Sequence, residues 1–459
     1  MTLIIVAILL FAFILIATEK LTNVNKAAVA IFAAAVGWVL YICYGTDFVM
    51  SQHPMGLAIF LDGDKVSSDT VKMFIAHSVF LPYVGRASEI VLFLLSTMTI
   101  VEILNTNGCF DFIRQLLRTR SSLKMLWTLA ISSFIISANL DNLTATVMML
   151  TIMHGVIPNR RQRIIFGSAI VLAVNCGGAL TVIGNPEGLV LWNIGAVTAT
   201  NFSMSLAIPC VIAWVLPTFL LGRMLPHKID TEFITMPYRG DETRLNVWQR
   251  LLMLVVGIGG LWFIPTFHNI TKLSPFLGAM CVLAVLWVVN EIVNRKLMKA
   301  DVMIQQRVPG VLQYGVLQMM LYIMGIMLAI GVVTETGAAS FLWHIIQGEI
   351  HNIWIYGLIS GLISTVLDNF ATAMTFISFT KVTPETQVAL HNDFATNGAY
   401  WKIISYCVMV GGNVFAFSNM SGMALMKMER VHIGWYFRNV GWKTLLGGLL
   451  GLLALWIEI

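Results

Sequence analysis

The feature that most constrains this chain is a long apolar stretch with a single acid near its middle. Residues 123–156 are almost entirely apolar, yet Asp141 lies close to their centre. An apolar run of this length is typical of a segment buried in a bilayer. An ionisable side chain at membrane depth is energetically costly, and it usually marks the path of an ion or a substrate.

The residues around Asp141 occur a second time, at the same spacing, in the other half of the chain. The two copies are Ser137, Leu140, Asp141 and Asn142, and Ser364, Leu367, Asp368 and Asn369. Helix capping is the simpler explanation, because both Asp and Asn favour caps and turns. Capping alone does not explain a buried carboxylate in both copies, since Ser or Asn would cap without charge. The repetition therefore predicts a functional pair.

Composition indicates an all-α polytopic membrane protein. Hydrophobic residues make up 58% of the chain and charged residues only 11%, where a soluble domain has about 25% charged residues. The formal charge of +5 comes from Lys and Arg gathered in loops, as membrane orientation requires, and nothing indicates a nucleic-acid partner. The apolar runs predict spans at 3–18, 27–44, 87–105, 164–196, 203–224, 248–266, 275–293, 312–332, 400–426 and 439–457, with a polar loop at 45–86.

The basic residues predict how the two acidic stretches enter the membrane. They flank the first stretch on both sides, at 114–124 and 160–163. Both clusters can be cytoplasmic only if 123–157 enters and returns as a re-entrant hairpin. The second stretch is 353–380, and no Lys or Arg lies between Arg307 and Lys381, so this hairpin is expected to enter from outside. The same bias places both termini outside the cell, in a multi-pass protein of the inner membrane.

Glycine-rich segments extend the repeat beyond the hairpins. Gly177, Gly178 and Asn185 in the span 164–196 recur at one constant offset in the span 400–426 as Gly411, Gly412 and Asn419. Both spans are predicted to be broken helices. Because an odd number of crossings separates equivalent elements, the two halves are expected to be inverted. Inverted repeats with interrupted helices are typical of secondary transporters with a site at the midplane.

These patterns predict four regions. Residues 1–26 form an N-terminal helix, 27–226 the first repeat, 227–247 a cytoplasmic linker, and 248–459 the second repeat with a preceding helix. The first apolar run, 3–17, is expected to be a retained helix, since it has neither a basic n-region nor an Ala-x-Ala cleavage site. The six cysteines are scattered singly without metal-ligand spacing, so we expect neither a cofactor nor a resident metal.

Oxygen ligands suit a hard cation such as Na⁺, and the repeat offers many of them. The predicted ion-binding residues are Asp141, Asn142, Thr144, Asn185, Glu187, Asp368, Asn369, Thr372, Ser418 and Asn419. The predicted helix-break residues are Gly177, Gly178, Gly184, Gly411, Gly412 and Gly422. A carboxylate must lose its proton to bind a metal ion, whereas burial without an ion favours the protonated form. Asp141 and Asp368 are therefore the predicted ligands for which Na⁺ and protons compete.

At these residues the chain resembles the NhaD-type sodium/proton antiporters. They belong to the ion transporter superfamily, which also contains arsenite permeases and divalent-anion/sodium symporters. The resemblance covers most of the chain and rests on 98–102 with Gly108, on 137–144, on 178–185 and on 367–369. It implies a homodimer, with a scaffold domain and a transport domain that moves like an elevator, and exchange of Na⁺ or Li⁺ for protons. NhaD proteins usually carry aspartate where Asn185 stands; either Glu187 replaces that charge, or the stoichiometry and ion preference differ.

Two other transport functions fit the same fold. A Na⁺-coupled symporter of a small dicarboxylate would have to place its substrate beside the hairpin aspartates, which repel it. The expected core also contains almost no Lys or Arg, with Lys402 the one candidate counter-charge. An arsenite exchanger is a further alternative, but no clustered thiols support it. No nucleophile–base pair or phosphate-binding loop suggests an enzyme.

Overall fold

The structure, a computed structural model, describes residues 1–22, 24–62, 66–229, 245–294, 314–383 and 393–459. Within these ranges the chain is helical and has no β-strand. The helices long and apolar enough to cross a membrane are Lys26–Cys43, Ser68–Thr106, Arg160–Leu180, Ala199–Gly222, Val247–Thr271, Pro275–Val293, Val316–Glu335 and Ile433–Glu458. The chain is therefore a polytopic α-helical membrane protein, as its composition predicts.

The prediction of a polar loop at 45–86 is wrong. The segment contains the short helices Gly45–Gln52 and Pro54–Leu61, and a continuous helix already begins at Ser68 and extends to Thr106. The added turns have an apolar face, and its residues Val71, Phe74, Ile75 and Val79 belong to a buried cluster that also includes Trp38 and Tyr41 of Lys26–Cys43. Polar residues on the opposite face hide this 3.6-residue pattern from a hydropathy average.

Several predictions concern residues outside the described ranges. Most of the predicted linker, 230–244, is among them, as are the first two residues of the predicted span 312–332. The N-terminal region consists of Thr2–Ala17 and a short helix, Glu19–Thr22.

Both acidic stretches form two short helices joined by a tight turn. The first hairpin consists of Ser122–Ser137 and Asn142–His154, and the second of Ile353–Ser364 and Asn369–Phe379. The two helices of each hairpin pack against each other. With 11 to 16 residues each, they are about 16–24 Å long, too short to cross a hydrocarbon core of about 30 Å. Re-entry into the membrane from one side stays a prediction.

Both glycine-rich spans are broken. The first break begins at Thr181, three residues after its glycine pair, and the second begins directly after Gly412. The first broken helix consists of Arg160–Leu180 and Pro186–Asn193, and the second of Ala399–Gly412 and Met420–Glu429. Of the six predicted helix-break residues, only Gly184 lies in a non-helical segment. Gly422 lies in the helix after its break, and the two glycine pairs lie in the helices before theirs.

The glycine pairs instead allow the hairpins to approach the broken helices closely. A Cβ on Gly177 would lie 2.3 Å from the carbonyl oxygen of Phe134 in the first hairpin. A Cβ on Gly411 would lie 2.0 Å from the carbonyl oxygen of Gly361 in the second hairpin. Only glycine permits this backbone contact. Gly177 and Gly178 therefore lie within a helix and pack closely on the first hairpin. Gly411 and Gly412 pack closely on the second hairpin and are also the last two residues before the break.

The segments that precede the two hairpins also correspond in structure. The helices Ser68–Thr106 and Tyr314–Glu335 are each followed by a left-handed glycine, Gly108 with φ of 68° and Gly337 with φ of 76°. Left-handed glycine is the usual way to end a helix. A short helix follows each glycine, Asp111–Leu116 and Ala338–Glu349. The same succession of elements thus occurs twice, and its inversion across the membrane stays a prediction.

The helices pack in two groups. The first bundle consists of Thr2–Ala17, Lys26–Cys43, Ser68–Thr106, Val247–Thr271, Pro275–Val293 and Tyr314–Glu335. The second bundle contains both hairpins, both broken helices, Ala199–Gly222 and Ile433–Glu458. The main packing between the bundles is that of Asn369–Phe379, in the second hairpin, on Tyr314–Glu335. The second bundle therefore brings together every element that carries a predicted site residue.

Candidate functional site

The two hairpin aspartates cap the second helices of their hairpins. Asp141 Oδ2 accepts hydrogen bonds from the backbone N–H groups of Leu143 at 3.0 Å and Thr144 at 3.2 Å. Asp368 Oδ1 accepts one from the N–H of Phe370 at 3.1 Å. A carboxylate is favourable here because the start of a helix carries partial positive charge. Capping is therefore part of the role of both residues, but it uses only one oxygen of each.

The second oxygens of the two aspartates have different surroundings. Asp141 is 1% exposed, and its Oδ1 has no hydrogen-bond partner within the described part of the chain. Asp368 Oδ2 forms an ion pair with Lys26 Nζ at 2.8 Å. A buried carboxylate oxygen without a partner is costly. Asp141 therefore has an unsatisfied capacity to bind a proton or a cation, whereas Asp368 already holds a cation supplied by the protein.

The asparagines that follow these aspartates are held by serines of the same hairpins. Ser137 Oγ donates to Asn142 Oδ1 at 2.9 Å. Ser364 Oγ donates to Asn369 Oδ1 at 3.0 Å. These four residues belong to the repeated motif, so the repeated sequence produces a repeated hydrogen bond.

The side-chain amides of Asn142 and Asn369 pack directly against the second glycine of each pair, Gly178 and Gly412. A Cβ on Gly178 would lie 1.8 Å from Asn142 Oδ1, and one on Gly412 would lie 1.8 Å from Asn369 Oδ1. Any side chain would displace the amide, because real Cβ contacts are much longer. The glycines therefore provide space for the asparagines, a function that the spacing alone does not reveal.

The breaks in the two broken helices are also organised by asparagine. Asn185 Oδ1 accepts a hydrogen bond from Gly188 N at 2.8 Å, and Asn419 Oδ1 accepts one from Gly422 N at 2.6 Å. Asn419 Nδ2 additionally donates to the carbonyl oxygen of Gly412 across the break. The second half of each broken helix thus begins with a capped, partly positive end.

One cavity joins the hairpins and broken helices. It has a volume of about 410 Å³, part of it open to solvent, and it is lined by Asp141, Asn142, Leu143, Asn175, Pro186, Glu187, Met319, Ile323, Asp368, Asn369, Phe370, Asn419, Met420 and Ser421. Three carboxylates from three different elements therefore face the same space. Met319 and Ile323 belong to Tyr314–Glu335, so the first bundle closes one side of the cavity.

Six of the ten predicted ion-binding residues line this cavity: Asp141, Asn142, Glu187, Asp368, Asn369 and Asn419. The other four do not line the cavity, but they form hydrogen bonds with its lining residues or with the backbone at the helix breaks. Thr144 bonds Asp141 Oδ2, and Thr372 Oγ1 donates to the carbonyl oxygen of Asp368 at 3.1 Å. Asn185 caps its helix half, and Ser418 Oγ donates to Gly412 O at 2.9 Å.

The expectation about counter-charge is wrong. Lys402 is buried near the start of the second broken helix, but it does not line the cavity. The charged partner of the site is Lys26, which is only 5% exposed. Lys26 stands at the start of an apolar span, where a lysine normally reaches the membrane surface, so the sequence contains no signal that it turns inward.

Asn175 is a second residue that sequence reasoning missed. Its Nδ2 donates to Asn413 Oδ1 at 2.5 Å, which links the two broken helices beside the cavity. An amide within the otherwise apolar run 169–176 was the available signal, because a buried polar side chain requires a partner.

The donor set determines what the cavity could hold. It offers carboxylate and amide oxygens, which suit hard cations. Across the described ranges, no three His, Cys, Asp or Glu side chains lie close enough together to hold one metal ion jointly. With Asp141, Glu187 and Asp368 ionised and Lys26 protonated, the site has a net charge of −2. Two monovalent cations or protons would neutralise it.

Comparison with known proteins places the chain among transporters. It is 25% identical over 447 residues to the Arabidopsis thaliana protein "Sodium/proton antiporter 2", with 96% of each chain covered. It is 22% identical over 445 residues to "Na(+)/H(+) antiporter NhaD" of Vibrio parahaemolyticus, covering 92% of this chain and 97% of that protein. These near full-length relatives confirm the resemblance to NhaD-type antiporters.

A solved structure and a family model complete the comparison. The crystal structure of the Alcanivorax borkumensis YdaH transporter superposes with a TM-score of 0.54 and 13% identity, covering 90% of this chain and 97% of that one. At this identity the likeness shows the fold alone. The family model described as "CitMHS: Citrate transporter" matches residues 13–391. The chain is therefore a transporter rather than an enzyme, and it belongs to this family.

Proposed function

We propose that this protein is a secondary transporter that exchanges Na⁺ or Li⁺ for protons at the cavity between the hairpins. One observation supports this most strongly: Asp141 lines the cavity with a buried, unpartnered carboxylate oxygen, opposite further carboxylates from two other elements. Such an oxygen is satisfied by a hard cation or by a proton, but not by both at once.

Competition between the two ligands provides the coupling. A carboxylate binds a metal ion only after it has lost its proton, while burial without an ion favours the protonated form. Na⁺ binding at Asp141, with Glu187 and the amide oxygens of Asn142 and Asn419 as neighbours, therefore requires proton loss. Protonation on the other side of the membrane releases the ion. Glu187 replaces the charge that Asn185 lacks.

Alternating access would move the second bundle against the first. The hairpins and broken helices pack together as one group, and the cavity lies where this group meets Tyr314–Glu335. The second bundle is the proposed transport domain and the first bundle the proposed scaffold. The homodimer, the inverted halves and the external termini are further parts of this proposal, and they rest on the resemblance and on the distribution of basic residues.

The main alternative is transport of citrate or another small carboxylate, which the family description favours. The cavity residues favour it less, because Asp141, Glu187 and Asp368 all repel an anion. Within the described part of the chain, the cation beside the cavity is Lys26, which is already paired with Asp368. An anion would have to displace that carboxylate and approach two others.

Reconstituted protein distinguishes the two functions. We expect Na⁺ or Li⁺ alone to dissipate an imposed ΔpH in proteoliposomes, and Asp141→Asn to abolish this response. Asp69→Asn is a matched control, since the side chain of Asp69 is 93% exposed and should leave transport unchanged. Full activity in Asp141→Asn rejects the assignment. Transport that strictly requires citrate, with no response to Na⁺ alone, supports the carboxylate symporter instead.

A further inference from the structure

The ion pair between Lys26 and Asp368 connects the two bundles. Lys26 is the first residue of Lys26–Cys43 in the first bundle, and Asp368 caps the second helix of the second hairpin. Both side chains are at least nine-tenths buried, and the Nζ–Oδ2 distance is 2.8 Å. The bond therefore joins the proposed scaffold to the proposed transport domain at the wall of the cavity.

Lys26 has no favourable role in its own helix. A cation in the first turn of a helix faces the positive end of the macrodipole, where it is destabilising. The helix start is already capped by Asn25, whose Oδ1 accepts a hydrogen bond from Ala27 N at 2.9 Å. The same oxygen accepts a hydrogen bond from Gln318 Nε2 at 2.9 Å, which fixes this end of the helix to Tyr314–Glu335. The position of the ammonium group is therefore explained by Asp368 rather than by helix stability.

We propose that Lys26 is a tethered counter-cation that occupies Asp368 when the site holds no transported cation, and that the resulting bond latches the two bundles together. This inference rests on the proposed function. A transported cation at Asp368 replaces the ammonium group and frees the second bundle to move. Lys26 then keeps a partner within its own bundle, because its Nζ lies 4.3 Å from the centroid of the Tyr322 ring, within cation–π range.

The latch accounts for obligatory exchange. Movement of the empty transport domain would separate the ammonium group from Asp368 and leave the Asp368 carboxylate unpaired away from water, which is strongly unfavourable. Movement with a bound cation avoids that cost. An empty return step, which would let Na⁺ flow without exchange, is thereby suppressed.

The proposal predicts that removing the tethered charge strengthens Na⁺ binding. If the Lys26–Asp368 ion pair leaves the site open to Na⁺ in about 10% of the molecules, it weakens the apparent affinity for Na⁺ about tenfold. We therefore expect Lys26→Met to bind ²²Na⁺ about tenfold more tightly than the wild type in equilibrium binding to purified protein at alkaline pH. Lys26→Arg keeps the charge and should stay within about threefold of the wild type. Lys72→Met, at an exposed position, is the control for loss of a lysine elsewhere.

A second measurement tests the latch. Proteoliposomes loaded with ²²Na⁺ and placed in Na⁺-free medium, without a pH gradient, should lose Na⁺ faster with Lys26→Met than with the wild type or Lys26→Arg. Unchanged or weaker Na⁺ binding in monodisperse Lys26→Met overturns the proposal, as does an unchanged leak. If Lys26→Met is not monodisperse, Lys26→Gln is measured with the same criteria. The proposed function is tested separately, by the ΔpH assay with wild-type protein. Failure of Na⁺ to dissipate ΔpH in that assay refutes the proposed function rather than the latch.

Discussion

The same substitution at the two hairpin tips should have different effects on folding stability. In Asp141→Asn the amide oxygen can still accept the N–H groups of Leu143 and Thr144, which now bond Asp141 Oδ2. Asparagine caps helices about as well as aspartate, so we expect a loss of at most about 0.5 kcal/mol. Asp368→Asn also keeps its cap but removes the partner of Lys26.

The difference can be estimated from the buried ion pair. Removing one member of such a pair costs about 3–5 kcal/mol, because the other charge is left uncompensated. With the usual unfolding entropy per residue, a chain of 459 residues loses about 1 °C of Tm per kcal/mol. Asp368→Asn should therefore lower Tm by about 3–5 °C, and Asp141→Asn by less than about 1 °C. The double variant Lys26→Met/Asp368→Asn should recover most of the loss, since it leaves no unpaired charge.

The assay is thermal unfolding in detergent without Na⁺. The measured quantity is the fraction of the protein that remains monodisperse after heating. Equal decreases in Tm for the two single variants would refute the assigned asymmetry. A double variant no more stable than Asp368→Asn would show that the unpaired ammonium group is not the cause of the loss.

Two further predictions concern packing around the site. Gly412→Ala should reduce transport at least about tenfold, because the new Cβ would displace the Asn369 amide and a change of about 1.4 kcal/mol in cation-binding free energy suffices for that factor. In Gly348→Ala the new Cβ meets nothing within 4 Å, so this control should retain wild-type transport. Equal activity of the two variants would contradict the geometry. Glu429→Gln should destabilise the protein by about 1.5–3 kcal/mol in thermal unfolding. Glu429 is 1% exposed and its Oε1 accepts a charge-assisted hydrogen bond from Arg163 Nε at 2.8 Å, so a neutral amide would leave the guanidinium group without its counter-charge; an unchanged Tm would show that the charge of Glu429 contributes nothing to stability.

The hairpins and their acids could be predicted because the signals are local. Each Leu-Asp-Asn motif interrupts an apolar run, and the turn forms where the motif stands. Asp141 and Asp368 reach the same cavity because the motif is repeated. Glu187 was predicted from its position beside a proline at a helix break, and it also lines the cavity.

The features that were missed depend on contacts between distant segments. Lys26 and Asp368 are 342 residues apart, and neither neighbourhood in the sequence indicates the other. The sequence places the glycine pairs near helix breaks, but their packing partners, including the amides of Asn142 and Asn369, become visible only in three dimensions. The helix at 68–86 differs from the predicted loop because its buried face packs on Trp38 and Tyr41, whose positions the sequence does not specify.

Proton release on Na⁺ binding tests the central claim most directly. Purified protein in weakly buffered detergent solution near neutral pH is mixed with NaCl, and the pH change is compared with that produced by choline chloride. If the same carboxylates hold either ligand, Na⁺ should release about one proton per bound ion, and Asp141→Asn should release far less. Saturable Na⁺ binding without proton release, or equal release from Asp141→Asn, would contradict the account.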